Sequence, residues 1–222
     1  MDYQPRPAVR PKKHQRDRLI RLAATHPAWA LGFQDETWWS RVTQPRLHSW
    51  TTDGQPLRLV AQTVAQDEPK ALACYGVLWR NVDGQGDALW LRFVDGRPVS
   101  NVTTQFLDWC CRQLAARGKT AWLLVWDRAP WHASAAVRQW IRAHNRQVKH
   151  GTAQVRILNC PLPGTLWVKS PWLNPIEPHW QHGKRAVVAP RRVLSLQELP
   201  DRVCAYFGCS HEPHLALSEQ AA

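Results

Sequence analysis

The chain has no run of about eighteen apolar residues, the least that a membrane-spanning helix needs. Its start, "MDYQPRPAVRPKKHQRDR", lacks the apolar core of a secretory signal. These absences predict a soluble, cytoplasmic protein with no membrane partner. They also bear on its six cysteines, Cys74, Cys110, Cys111, Cys160, Cys204 and Cys209. Outside an oxidising compartment these are expected as free thiols, not as a disulfide framework. No CxxC pair is present. The stretch "CAYFGCSHEPH" sets Cys204 and Cys209 near His211 and His214, residue types that ligate zinc, but without the usual ligand spacing. A structural zinc there competes with a plainer reading, a helix end followed by a loose tail. No internal repeat is visible.

Acidic residues are scarce. Seventeen Asp and Glu against 29 Lys and Arg leave a net charge of +12 and a pI of about 10.0. Such a balance favours a polyanionic partner, nucleic acid first, over a generically basic surface. From Trp109 to Gln197 the chain carries fourteen Lys and Arg but only two acidic residues, Asp127 and Glu177. Lone carboxylates in so basic a segment are electrostatic exceptions.

What is present points to one domain of 222 residues with a sizeable core. Residues 1–26 read as a basic N-terminal arm or linker, 27–208 as the folded domain and 209–222 as a C-terminal tail. In the arm, Lys12 and Lys13 belong to a cationic cluster suited to phosphate contact; a solvated linker is the alternative. Period-two patterning in "WALGFQDE" places Leu31, Phe33 and Asp35 on one face of a strand that ends near Asp35. A hairpin is expected around Asp53-Gly54, and further strands in "ALACYGVLW" and "DALWLRFV". Phe106, Leu107, Cys110, Cys111 and Leu114 form a helical stripe ended by Gly118. "AWLLVW", residues 121–126, suits a strand buried on both faces, with Asp127 at its end. A helix over 133–144, a strand in "VRILNC", a helix running through about Val188 and a last helix with a candidate break at Pro200 complete the order. Strands first, then alternating helix and strand, predict an α/β fold: a mixed sheet flanked by helices.

Three acidic residues stand out, each with a structural alternative. Asp35 could be a turn residue with Glu36 the functional one, although parity with Leu31 and Phe33 favours Asp35. Asp127 could cap the next helix. Glu177 lies in "SPWLNPIEPHW", where Asn174, Pro175 and Glu177 resemble a capping box; Pro178 fits it less well. Taken together, convergent carboxylates in a basic protein suit hard divalent cations. Two such ions about 3.5–4 Å apart can stabilise the attacking and leaving oxygens of phosphodiester cleavage.

The segments "LLVWDRAPWHASAAVRQWIRAHN" and "SPWLNPIEPHWQHGKR" closely resemble two signature segments of bacterial insertion-sequence transposases, relatives of the Tc/mariner superfamily with a DDE endonuclease domain. "LGFQDETWW" is similar to their first segment. The resemblance covers about residues 27–208. It implies an RNase H-like fold: a mixed sheet, antiparallel strands first and then parallel ones, flanked by helices. It implies that Asp35, Asp127 and Glu177 bind two Mg²⁺ (or Mn²⁺) ions for DNA cleavage at element ends and 3′-hydroxyl strand transfer into target DNA. Asn174 and Pro175 would shape the turn presenting Glu177, and His132 would lie near the site or serve as a buried structural histidine. Lys184 and Arg185 are phosphate-contact candidates against an ordinary solvated helix face. The partners implied are double-stranded DNA of the element ends and the target, a homodimer on that DNA, and a nucleoid location. The family's N-terminal helix-turn-helix modules have no counterpart in the sequence, so a truncated copy or a separate DNA-binding frame product is expected. The longer interval between Asp127 and Glu177 is expected to form a surface loop in "RQVKHGTAQ". A catalytically silent DNA-binding remnant and an RNase H-fold nuclease without strand transfer are the competing readings.

Overall fold

Twelve residues, Trp29–Ser40, form the longest strand, β1. Its alternation sends Leu31, Phe33 and Trp39 into one apolar core and Ala30 into the other. This computed structural model describes residues 9–42, 49–50, 56–57, 64–65, 67–161, 174–187 and 192–216. Strand β1 does not end at Asp35 as the pattern predicted. Its antiparallel partner β4 (Ala71–Arg80) follows it from Leu31↔Arg80 to Ser40↔Ala71. Its parallel partner β6 (Ala121–Trp126) follows it only from Trp29↔Ala121 to Phe33↔Val125. Asp35 therefore stands two residues beyond the point where β1 and β6 part. One edge of β1 remains paired there and the other opens.

The main sheet has the order β7-β6-β1-β4-β5-β8. Strand β5 (Ala88–Asp95) pairs antiparallel with β4, and β7 (Arg156–Pro161) pairs parallel with β6. Antiparallel strands come first and parallel ones follow, as expected. The short β2 (Ser49–Trp50) and β3 (Pro56–Leu57) pair antiparallel, which accords with the expected hairpin, while Asp53-Gly54 lies outside the described residues.

All six residues of β6 are buried, because helices cover both faces of the sheet. Trp122, Leu124 and Trp126 face helix α2 (Ser100–Ala116) and helix α3 (Ala135–Lys149). Leu123 and Val125 face helix α4 (Glu177–Val187) and helix α5 (Glu198–Phe207). Each large apolar side chain so buried stabilises the fold by roughly 1.5–3 kcal/mol. All six cysteines are free thiols. No helix among the described residues is long and apolar enough to cross a membrane.

Four expectations change. The basic arm is helical from Val9 to Ala24 (α1), and its Leu19, Leu22 and Ala23 pack on the core, so apolar residues spaced along the end of a polar stretch suffice to dock it. The loop expected in "RQVKHGTAQ" is shorter: Arg146–Lys149 extend α3 before the chain turns at His150 and Gly151. Pro200 does not break α5, since it lies in the first turn, where a missing N–H has no partner to lose. The tail is not loose, because strand β8 (Leu215–Ala216) joins the sheet parallel to β5.

Candidate active site

Asp35 is half-buried, and its Oδ2 accepts a hydrogen bond from Trp180 Nε1 at 3.1 Å. Its pKa is pushed up to about 8, first by burial and then by the like charges of Glu36 and Asp127, with Glu177 adding to them. Asp127, after β6, and Glu177, at the start of α4, thus both lie within electrostatic reach of Asp35 on β1. A buried carboxyl among other carboxylates is held in an unfavourable state, which a divalent cation would relieve.

His132 ties two of the acidic elements together. Its Nδ1 lies 2.8 Å from Asp127 Oδ1 and its Nε2 2.7 Å from Glu36 Oε1. Carboxylates only accept, so both ring nitrogens donate and the ring is an imidazolium. Burial would lower its pKa, but the hydrogen bonds to Asp127 and Glu36 outweigh this and raise it to about 9. Burial likewise works to raise the pKa of Asp127, and the bonds from His132 and the Ala129 N–H reverse that and hold it low. The ring stacks on Trp126 at 4.4 Å between centroids. Gln34 Nε2 donates to the same Glu36 oxygen at 2.8 Å. Glu36, next to Asp35 on the strand, is thus held by both His132 and Gln34.

Asn174 and Pro175 lead into α4, but the expected capping box takes a different form. Asn174 Nδ2 donates to the Gln34 carbonyl at 3.3 Å, its Oδ1 accepts weakly from Ile176 N at 3.5 Å, and Glu177 N donates to the Asn174 carbonyl. The asparagine side chain pins the turn to β1 one residue before Asp35. Pro178 fits after all: α4 begins at Glu177, so the proline occupies the first turn. Ser170–Leu173 lie outside the described residues.

Trp180 went unremarked in the sequence, although it follows Glu177 by one helical turn. It rests on Gly76, the β4 residue paired with Asp35. A Cβ on Gly76 would come within 2.3 Å of the Trp180 ring, so only glycine leaves room for it. Lys184 and Arg185 are exposed, about two turns past Glu177. Packing around the Lys184 ammonium lowers its pKa, with Asp35 pulling the other way, so this lysine borders the site. Lys12 and Lys13 lie within α1; their side chains are outside the described set.

The donor set suits hard cations: carboxylate oxygens from three elements, one of them destabilised by its neighbours. Among the described residues, no three His, Cys, Asp or Glu side chains already close on one point as a finished cage. Any ion would have to draw them together.

A family model described as DDE superfamily endonuclease matches residues 30–200. The chain belongs to this family. Three solved structures show where this DDE domain stands. It resembles the Mos1 transposase paired-end complex with left transposon end at a TM-score of 0.55 and 18% identity, over 94% of this chain and 57% of that one. It resembles the mariner Mos1 paired end complex with Mg at 0.54 and 19%, over 93% and 56%. It resembles the catalytic domain of Mos1 mariner transposase at 0.50 and 16%, over 94% and 85%. The DDE domain spans little more than half the length of the first two. At this identity the likeness establishes the fold, the RNase H-like mixed sheet flanked by helices. No curated protein matches the sequence at a significant level.

Proposed function

We propose that this DDE domain is the catalytic part of a transposase, cutting DNA at element ends and joining a 3′-hydroxyl to target DNA. The observation that carries this reading is Asp35, buried against Trp180 and crowded by the charges of Asp127 and Glu177. Asp35, Asp127 and Glu177 would hold two Mg²⁺ or Mn²⁺ ions, which, when bound, polarise the scissile phosphate and its attacking oxygen. The chain's own residues prepare that site. Trp180 fixes the Asp35 carboxylate, His132 turns one Asp127 oxygen inward to itself and leaves the other free, and Asn174 locks the turn that starts the Glu177 helix. Lys184 and Arg185 would meet the DNA backbone, and α1 with Lys12 and Lys13 would extend that cationic surface.

The reading implies double-stranded DNA as partner, a second copy of this chain to pair two ends, a separate DNA-binding part for end recognition, and work in the cytoplasm on the nucleoid. The test is Mg²⁺-dependent nicking of supercoiled DNA by wild type and by Asp127→Asn. Loss of nicking in the variant is expected; equal residual activity would sink the enzymatic reading. A pre-cleaved end bearing a free 3′-hydroxyl tests strand transfer, and cleavage without joined product would reduce the domain to a plain nuclease.

A further inference from the structure

The zinc-ligand types at the end of the chain are not absorbed by the DDE site. They lie on α5 and on the segment between α5 and β8. His211 Nδ1 lies 2.6 Å from Asp201 Oδ1, and His214 Nδ1 lies 2.6 Å from Asp95 Oδ1. A carboxylate accepts only, so toward the acids both Nδ1 atoms donate and both Nε2 atoms point away; Gln197 Nε2 also lies 3.4 Å from His211 Nδ1. The two histidine Nε2 atoms face each other at 3.4 Å. Two ring nitrogens so placed bracket a gap that a shared proton or a metal ion can fill.

A ring N–H donor usually reaches its acceptor at about 2.7–3.2 Å, so a proton between the two rings makes only a long, weak hydrogen bond at 3.4 Å. Two imidazole nitrogens each about 2.0–2.1 Å from a tetrahedral zinc lie about 3.3–3.4 Å apart. Carboxylates behind both histidines complete the carboxylate–histidine–metal arrangement that orients ligands and raises their basicity. Phe93 packs against both rings, at 5.7 Å from His214 and 6.2 Å from His211, and limits their rotation. Gln197 Nε2 holds Asp201 in turn, at 3.3 Å. Each histidine side chain is about one-fifth exposed, which leaves room for water on the outer side of an ion. Among the described residues no third His, Cys, Asp or Glu converges with them. Cys204 and Cys209 instead bond to each other's segment, through Cys209 Sγ and the Cys204 carbonyl.

The geometry points to a second metal site, in which His211 and His214 bind one borderline transition-metal dication, Zn²⁺ in the first instance, backed by Asp201 and Asp95. Imidazole pairs prefer such ions over Mg²⁺, which favours oxygen, so the site is chemically distinct from the carboxylate centre. An ion there closes the 211–214 segment directly before β8, with its histidines tied to α5 through Asp201 and to β5 through Asp95.

The test is calorimetric titration of the full chain with Zn²⁺ alone, in buffer containing excess Mg²⁺. One Zn²⁺ per chain is expected. His211→Gln or His214→Gln should weaken it at least tenfold. Asp95→Asn or Asp201→Asn should weaken it about 10–100-fold, the usual loss when a carboxylate behind a histidine ligand is removed. Asp127→Asn and Cys209→Ser should bind as wild type. Should the histidine variants fail to fold, ¹⁵N spectra of the wild type decide: Zn²⁺ must move the Nε2 resonances of His211 and His214 while Nδ1 stays protonated. A flat titration, unchanged affinity in both histidine variants, or loss of binding in Cys209→Ser overturns the site.

Discussion

A carboxyl held at a pKa of about 8 by burial and by neighbouring charge weakens the fold that contains it. The folded protein binds a proton at Asp35 that the unfolded chain has released, so stability falls as pH rises from about 4 to about 8. Asp35→Asn keeps an oxygen for Trp180 Nε1 and removes the charge. In metal-free buffer at pH 8 it should therefore melt higher than wild type, by about 2–4 °C for each kcal/mol relieved. Asp127→Asn should not, because His132 already stabilises that carboxylate. A thermal melt series in EDTA checks the contrast; equal shifts would mean that Asp35 is not the crowded group. His132→Ala tests the bridge itself. Removing it leaves the enclosed Glu36 carboxylate with Gln34 as its donor among the described residues, at a cost of about 1–3 kcal/mol. Nicking turnover should drop with little change in DNA affinity, since the ring positions Asp127 and contacts no DNA in this reading. Urea denaturation and single-turnover cleavage measure the two effects separately.

Helix α4 is the element on which the site depends, because it carries Glu177, Trp180, Lys184 and Arg185 on three turns. It is seated by shape. Trp180 lies over Gly76, and Gly183 passes so close to Trp39 and Phe207 that a Cβ would stand within 2.8 Å of both. Gly76→Ala would push Trp180 outward, strain the core by about 1–3 kcal/mol and lift α4 away from Asp35. The expected outcome is a folded protein, less stable in urea, whose nicking falls more steeply than its stability explains. Normal cleavage in a stably folded Gly76→Ala would show that the α4 seat is not what aligns the carboxylates.

The whole molecule is cationic, with a net charge of +12. Binding to DNA should therefore be dominated by counterion release and fall steeply with salt. Lys184→Ala combined with Arg185→Ala should weaken binding to all duplexes alike and reduce the salt slope by up to about 2, near 1 for each lost phosphate contact. Fluorescence anisotropy at several salt concentrations reads this directly. An unchanged slope would place both residues off the DNA path.

Much of this was legible in the chain itself. The fully apolar "AWLLVW" suited a strand buried on both faces, and period two put Asp35 with Leu31 and Phe33. The helical stripe from Phe106 to Leu114 and its Gly118 stop were equally local. Such features follow from side-chain spacing and backbone preference, which neighbours in sequence determine. What tertiary structure decided rests on pairs far apart in the chain. The place where β6 leaves β1, Trp180 over Gly76, Glu36 and Asp127 joined through His132, and the tail histidines meeting Asp95 and Asp201 are of this kind. No local pattern encodes them, because each contact depends on which strands pair, in what register, and on how closely a helix approaches a glycine.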